Sequence, residues 1–338
     1  MEAMLVIVFA LSLWQHELLF YGILQAQGQL NIVWNAKNID EVIHDKAFPD
    51  SLKQKLVLIQ EIRKFAVDSL GVNNSDNYTT VYNQQGKPLL WVLTASYPYK
   101  MKAKQWHFPV LGNVPYKGFF VRERSIREMI KLKMEDYDTD VGRVGGWSTL
   151  GWFKDPILSN MLYNSDGALA NLIIHELTHA TLYVKDDVDF NENLATFVGD
   201  KGALRFLEYK YGKASQYYRE YIQDKKDEDV FDHYMLQSAS RLDSLYKTFA
   251  DSDERDFKEN RKHIIISDIV KGIYLLPLYD KIRYRRLGKK IFLTQNAFFM
   301  SYVHYESKQT IFEKEYTEKF NSDIKKYLIY LKGKYHSV

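Results

Sequence analysis

Apolar residues recur at helical spacing through LANLIIHELTHATLY, where Leu169, Leu172, Ile173, Leu177 and Leu182 stand in a stretch with no Gly or Pro between residues 168 and 184. That pattern predicts a buried helix, because one stripe is continuously apolar and nothing in it breaks the backbone ladder. A second helix is predicted over residues 191–207, with Leu194, Phe197, Val198, Leu204 and Leu207 as its apolar stripe. Between the two, Lys185-Asp186-Asp187 allows the chain to reverse. Upstream, a helix is expected over residues 51–70, then strands over 78–82, 88–94 and 118–121, rich in aromatic and β-branched residues. Downstream, helices are expected over 230–249, 255–274 and 305–331. The order describes an α+β front and a helical C-terminal body, a predominantly helical α+β class.

The N-terminus follows another pattern. Residues 4–14 are apolar but for Ser12, Gln15-His16-Glu17 interrupt, and residues 18–24 are again largely apolar. Eleven residues are too few to span a bilayer, and suit a signal-like, interfacial or core helix. No A-x-A-like cleavage site follows, and no Lys or Arg precedes Lys37, so the charge rule does not set an orientation. Residues 1–24 are therefore read as an uncleaved hydrophobic anchor or signal-like segment. Residues 25–338, which contain no Pro/Ser-rich linker, repeat or low-complexity block, are read as one catalytic unit.

Composition changes this picture little: 46% hydrophobic and 26% charged residues over 338 positions describe an ordinary globular chain. The net charge of +3 is small, and no nucleic-acid-binding module is present. One local excess of charge stands out, KIRYRRLGKK at residues 281–290, expected as a solvated surface turn, with contact to an anionic membrane as the alternative. The chain has no Cys, which excludes disulfides, Cys-ligated zinc and lipidation at Cys.

The chemistry lies in the first predicted helix. His175-Glu176-Leu177-Thr178-His179 is an HExxH motif, and residues four apart share a helix face, so both imidazoles can reach one metal ion with Glu176 beside them. Two histidines and a glutamate on an apolar helix each need a partner, and one cation satisfies all three. A catalytic zinc takes three protein ligands and keeps a position for water. Glu192 is the candidate third ligand, although a Glu in a helix's first turn is also an ordinary match to the helix dipole. His107, His233 and His263 have no metal-ligand spacing and are read as structural.

HExxH followed by Asn191-Glu192-Asn193-Leu194-Ala195-Thr196-Phe197 is similar to the glutamate-ligand zinc peptidases, the gluzincins. More specifically, the chain resembles a bacterial family of predicted zinc aminopeptidases through YGILQAQGQL, FPVLGNVPYKGFF, WSTLGWFKDPILSNML, HELTHATLYVKDD and FNENLATF, in the family's order and over most of the chain. The resemblance implies a zincin-like zinc peptidase, with His175, His179 and Glu192 as ligands and Glu176 in the catalytic position. It also implies export, hence a membrane-anchored enzyme facing the periplasm or cell exterior, acting on peptides. Around Asn296-Ala297 it suggests Tyr305 as an oxyanion donor, with Tyr302 and His304 as competitors. One departure bears on cleft shape: Gly146-Trp147 stands where the family tends to carry a small residue and Tyr.

In such a site zinc acidifies water, and Glu176 takes the proton and passes it to the departing amine. Residues 141–149 offer an edge for a peptide backbone, with Trp147, Ser148 and Trp152 as substrate-contacting candidates. An aminopeptidase is the leading reading; an endopeptidase and a catalytically silent peptide-binding module are the alternatives.

Overall fold

The computed structural model describes residues 16–108, 112–143, 154–185, 187–303 and 309–335. Its first helix, α1 (His16–Asn35), runs unbroken across residue 24, where the sequence pattern divides an apolar segment from the rest. Tyr21 Oη and Gln25 Nε2 both donate to the Gly118 carbonyl, at 2.9 Å each, so residues on either side of that division hold the same strand. No helix among the described residues is long and apolar enough to cross a membrane, and residues 4–14 lie outside them.

After β1 (Lys37–Asn38) and α2 (Ile39–His44), α3 (Asp50–Phe65) continues as a single π turn, Ala66–Leu70. The expected 51–70 helix thus changes pitch near its end. Gly71 terminates it at φ 78, in the left-handed region where a side chain is strained, and an added Cβ would also lie 2.9 Å from Lys325 Cγ.

The strands are short: β2 (Thr80–Tyr82), β3 (Trp91–Ser96), β4 (Trp106–Phe108), β5 (Gly112–Val114) and β6 (Tyr116–Phe119). The predicted strands are present, trimmed or displaced by two or three residues. Helix α4 (Arg122–Met134) leads into β7 (Asp138–Arg143), and β8 is Ile157–Leu158. The main sheet is antiparallel, ordered β6-β3-β7, with Leu93 opposite Lys117 on one side and Val141 on the other. Leu93, Ala95 and Phe119 bury one face against Trp106 and Leu132. In the second sheet β2 pairs antiparallel with β1 and parallel with β8.

Helices make up the rest: α5 (Asp166–His179), α6 (Val188–Tyr211), α7 (Gln216–Tyr246), α8 (Arg255–Ile273), α9 (Lys281–Arg285), α10 (Leu287–Thr294), α11 (Asn296–Val303), α12 (Gln309–Phe320) and α13 (Ile324–Lys334). The protein is therefore α+β and mostly helical. Helix α7 starts well before residue 230, because Ser215 caps it by accepting from the Tyr218 amide. Where a single helix is expected over 305–331, the described residues from 309 onward form two helices. Asn321 and Ser322 adopt φ 49 and 58, and Asp323 then caps α13 through the Lys326 amide.

Besides the cluster under the sheet, the helices form two apolar cores. One joins α3, α5, α6, α12 and α13, with Ile59, Ile173, Leu194, Phe206 and Tyr327 at its centre. The other joins α7, α8, α10 and α11 through Phe231, Met235, Ile266, Ile291 and Phe299. The sheet is tied to the second core by a buried ion pair. Lys262 Nζ on α8, fully buried, donates to Asp138 Oδ2 on β7 at 2.6 Å, and the Asn296 amide donates to the same oxygen at 3.1 Å. Burial raises the Asp138 pKa above the ordinary aspartate range, against the opposing pull of Lys262. Asp138→Ala leaves Lys262 buried without its counter-charge and is expected to destabilise the fold by about 3–5 kcal/mol, read from the urea midpoint. Adding Lys262→Met should recover most of that loss; no recovery would mean that the pair is not the cause.

Candidate metal centre

Among the described elements, helices α5 and α6 make the most extensive contact, and the candidate site sits at one end of it. Ser165 caps α5, its hydroxyl accepting from the Ala168 amide at 3.3 Å. Leu169, Ile173, Ile174 and Leu177 bury the helix and leave His175, Glu176 and His179 on its partly open side. The turn that follows is pinned from both directions. The Val184 amide donates to Asn191 Oδ1 at 2.8 Å, and Asn191 Nδ2 donates to the Val184 carbonyl at 2.7 Å. Asp187 caps α6 through the Phe190 amide at 2.9 Å.

Helix α6 begins at Val188, three residues before the sequence-based estimate, so Glu192 falls in its second turn. The helix dipole acts mainly within the first turn and does not account for the position of this carboxylate. What Glu192 meets instead is the pair of histidines. His175 Nε2 and His179 Nε2 lie 3.2 Å apart, and Glu192 oxygens lie 3.5 Å from the first and 3.6 Å from the second. These three donors, all within 4.8 Å of one another, are the metal-ligand-type cluster found among the described residues. The glutamate side chain is half exposed, whereas His179 is 7% exposed.

The close approach of the helices depends on small residues of α6. A Cβ on Gly199 would lie 3.1 Å from the Asn171 carbonyl oxygen and 3.2 Å from His175 Cβ, and one on Gly202 would lie 2.9 Å from Ile174 Cγ2 of α5. Gly199→Ala is expected to shift α6 against His175 and weaken metal affinity about 10-fold, measured by competition with a chelating dye. Gly333→Ala, where nothing lies within 4 Å, is the control and should change nothing. Unchanged affinity in Gly199→Ala would show that the helix spacing has slack.

The three charged groups act on one another. Burial raises the Glu192 pKa, but hydrogen bonding to His175 and His179 and their charge outweigh it and hold the carboxylate well below its ordinary range. Burial lowers the His179 pKa, yet its bond to Glu192 prevails and the net shift is upward. Burial raises the Glu176 pKa; the two histidines pull it down, while Glu192 and Asp155 push it up. Glu176 Oε2 is buried with no hydrogen-bond partner among the described residues.

Three neighbours were not visible in the sequence pattern. Tyr78 is fully buried beside Glu176, with φ 61 and its amide donating to the Asp155 carbonyl at 2.7 Å. Asp155 acts electrostatically on Glu176 and His179. Tyr116, at the start of edge strand β6, feels both Glu192 and Tyr183. Proximity of these residues depends on chain segments far apart, and only the positive φ of Tyr78 marks a constrained position. Trp147, Ser148 and Trp152, the substrate-contacting candidates, lie outside the described residues, as do Tyr305 and His304. Tyr302 packs its ring on Phe298 and Phe231, in the second core. His107, His233 and His263 make surface hydrogen bonds to Asn113, Gln237 and Gln295 and do not join the cluster.

Fold and site together define a helix-rich α+β protein with a two-histidine, one-glutamate cluster and a buried carboxylate beside it. The chain belongs to the family described as "Putative aminopeptidase", which matches residues 20–332. That description points to a peptidase acting on peptides. Neither the curated proteins nor the solved structures include a match.

Proposed function

We propose that this protein is a zinc-dependent aminopeptidase of zincin-like architecture, in which His175, His179 and Glu192 hold the metal and Glu176 is the general base. The observation that carries the reading is the spacing of the three donors. Ligands about 2.0–2.1 Å from one tetrahedral ion stand roughly 3.3 Å apart; here the two imidazole nitrogens are 3.2 Å apart and each faces a different oxygen of Glu192, His175 facing Oε2 at 3.5 Å and His179 facing Oε1 at 3.6 Å. The donor set, two imidazole nitrogens and a carboxylate oxygen, is the type zinc takes in catalytic sites.

When bound, zinc polarises a carbonyl and makes water acidic enough to lose a proton near neutral pH. Glu176 accepts that proton on a carboxylate whose buried Oε2 has no competing donor among the described residues, then delivers it to the departing amine. Tyr116 and Tyr183 stand on the Glu192 side, where a hydroxyl can face substrate oxygen. As part of the same proposal, the apolar residues 4–14 hold the enzyme at a membrane, outside the cytoplasm.

The test is mass-spectrometric analysis of peptides with free and acetylated N-termini, incubated with the zinc-loaded full-length protein. The whole chain is used because cutting at residue 24 would sever α1. Stepwise trimming of the free set alone is the expected result. Interior cleavage of both sets would make the protein an endopeptidase, and no cleavage of either would leave a binding module.

A further inference from the structure

The exposed side of α9 and α10 carries a pattern that the peptidase reading does not use. Arg286, between the two helices, keeps helical angles of φ −62 and ψ −24, so residues 281–294 form nearly one helical rod. Tyr284, Gly288 and Ile291 point inward and are buried. The opposite stripe, at helical spacing, is Ile282, Arg285, Arg286, Lys289, Phe292 and Leu293, all exposed.

This stripe differs from an ordinary solvated helix face in two ways. Solvated faces mix charges of both signs, as α8 does with exposed Arg255, Asp256, Arg261 and Asp268. From residue 271 to 293 the chain holds seven Lys and Arg and a single acid, Asp280. That acid caps α9 by accepting from the Arg283 amide. Lys290 is paired with Asp140 and Lys271 with Asp268, whereas Arg285, Arg286 and Lys289 form no ion pair with any described residue. The second difference is apolar protrusion. Ile282 and Leu293 are each 65% exposed, and the Arg285 guanidinium lies 5.0 Å from the ring of Tyr274, which brings up the C-terminal end of α8 with Leu275 at 85% exposure.

We infer that this face is a docking surface for an anionic lipid bilayer. Unpaired cations in the middle of the stripe suit lipid phosphates, while Leu275, Ile282, Phe292 and Leu293 around them suit the boundary between headgroups and acyl chains. Charge complementarity alone would also admit an acidic protein or a nucleic acid. The large aliphatic groups among the cations favour lipid, since the acyl boundary offers an apolar phase to every group on the stripe, where a nucleic acid or an acidic peptide offers none. The inference is independent of the proposed peptidase activity and of the apolar N-terminal run.

Because the chain has no Cys, Leu275→Cys gives a single labelling site on the full-length protein, and the position is too exposed to disturb a core. With an environment-sensitive fluorophore there, emission is expected to shift to the blue with phosphatidylcholine vesicles rich in phosphatidylglycerol, and not with phosphatidylcholine alone. The same probe at Tyr209→Cys, 74% exposed on α6, should stay unchanged. Replacing Arg285, Arg286 and Lys289 together by Ser should raise the lipid needed for half the shift by about 100-fold, at roughly five-fold per cation. A probe on the Leu275→Cys variant that stays silent while the protein sediments with anionic vesicles would overturn the inference, as would equal responses to neutral vesicles. A response to duplex DNA or polyglutamate but not to lipid would overturn it in favour of a soluble polyanion.

Discussion

Glu176→Gln is expected to lower kcat/KM on free-N-terminus peptides by about three orders of magnitude, with the metal content unchanged at one ion per chain. The substitution preserves the shape of a side chain held between α5 and its surroundings, so the histidines keep their places. It removes only the ability to accept a proton. Burial already raises the proton affinity of this carboxylate, and Oε2 has no hydrogen-bond partner among the described residues. Under the proposed mechanism a carboxylate in that state is suited to accept a proton, because its burial raises its proton affinity and no donor competes for Oε2 among the described residues. Metal analysis beside steady-state kinetics separates the two functions. Activity within ten-fold of the unaltered protein would remove Glu176 from the mechanism even if zinc is bound.

His179→Ala is expected to lower zinc affinity by more than two orders of magnitude and to abolish turnover at stoichiometric metal. The margin is set by comparison: losing a group that merely orients a ligand costs about 10–100-fold, and losing a ligand must exceed it. His179 is the more enclosed of the two histidines, and its removal would leave Glu192 and His175 as a two-donor site. The fold should survive, since α5 is held by Leu169, Ile173, Ile174 and Leu177 rather than by the metal cluster. An unchanged far-UV circular dichroism spectrum with lost zinc is therefore the expected pair of observations. Retained zinc affinity would show that the 3.6 Å approach of His179 to Glu192 is an ion pair unconnected with metal binding.

These two experiments bear on residues that the local pattern already singled out, and the reason is geometric. His175, Glu176 and His179 lie within one helix, where a spacing of four suffices to put two imidazoles on a face. The apolar stripes of α5 and α6 are equally local, as is the reversal between them. The division at residue 24 shows the converse. Hydropathy separates an apolar segment from the rest, yet α1 crosses that point, because Tyr21 and Gln25 both find the Gly118 carbonyl some ninety residues away. Similarly, residues 305–331 carry helical periodicity throughout, but the turn residues Asn321, Ser322 and Asp323 split them.

What the sequence by itself determined is the chemistry on offer: an HExxH helix, a second helix starting near a glutamate, a mostly helical α+β chain, and a basic stretch at residues 281–290. Tertiary structure alone decided which groups meet. Gly199 and Gly202 let α6 close on α5 so that Glu192 reaches both imidazoles, Asp155 and Tyr78 come in beside Glu176, and Lys262 crosses to Asp138. The same holds for the basic stretch, whose outward stripe is apparent only once Tyr284, Gly288 and Ile291 turn inward. Period and composition are properties of neighbouring residues and can be read along the chain. Contacts between distant segments follow from how buried surfaces pack in three dimensions, and no local pattern encodes them.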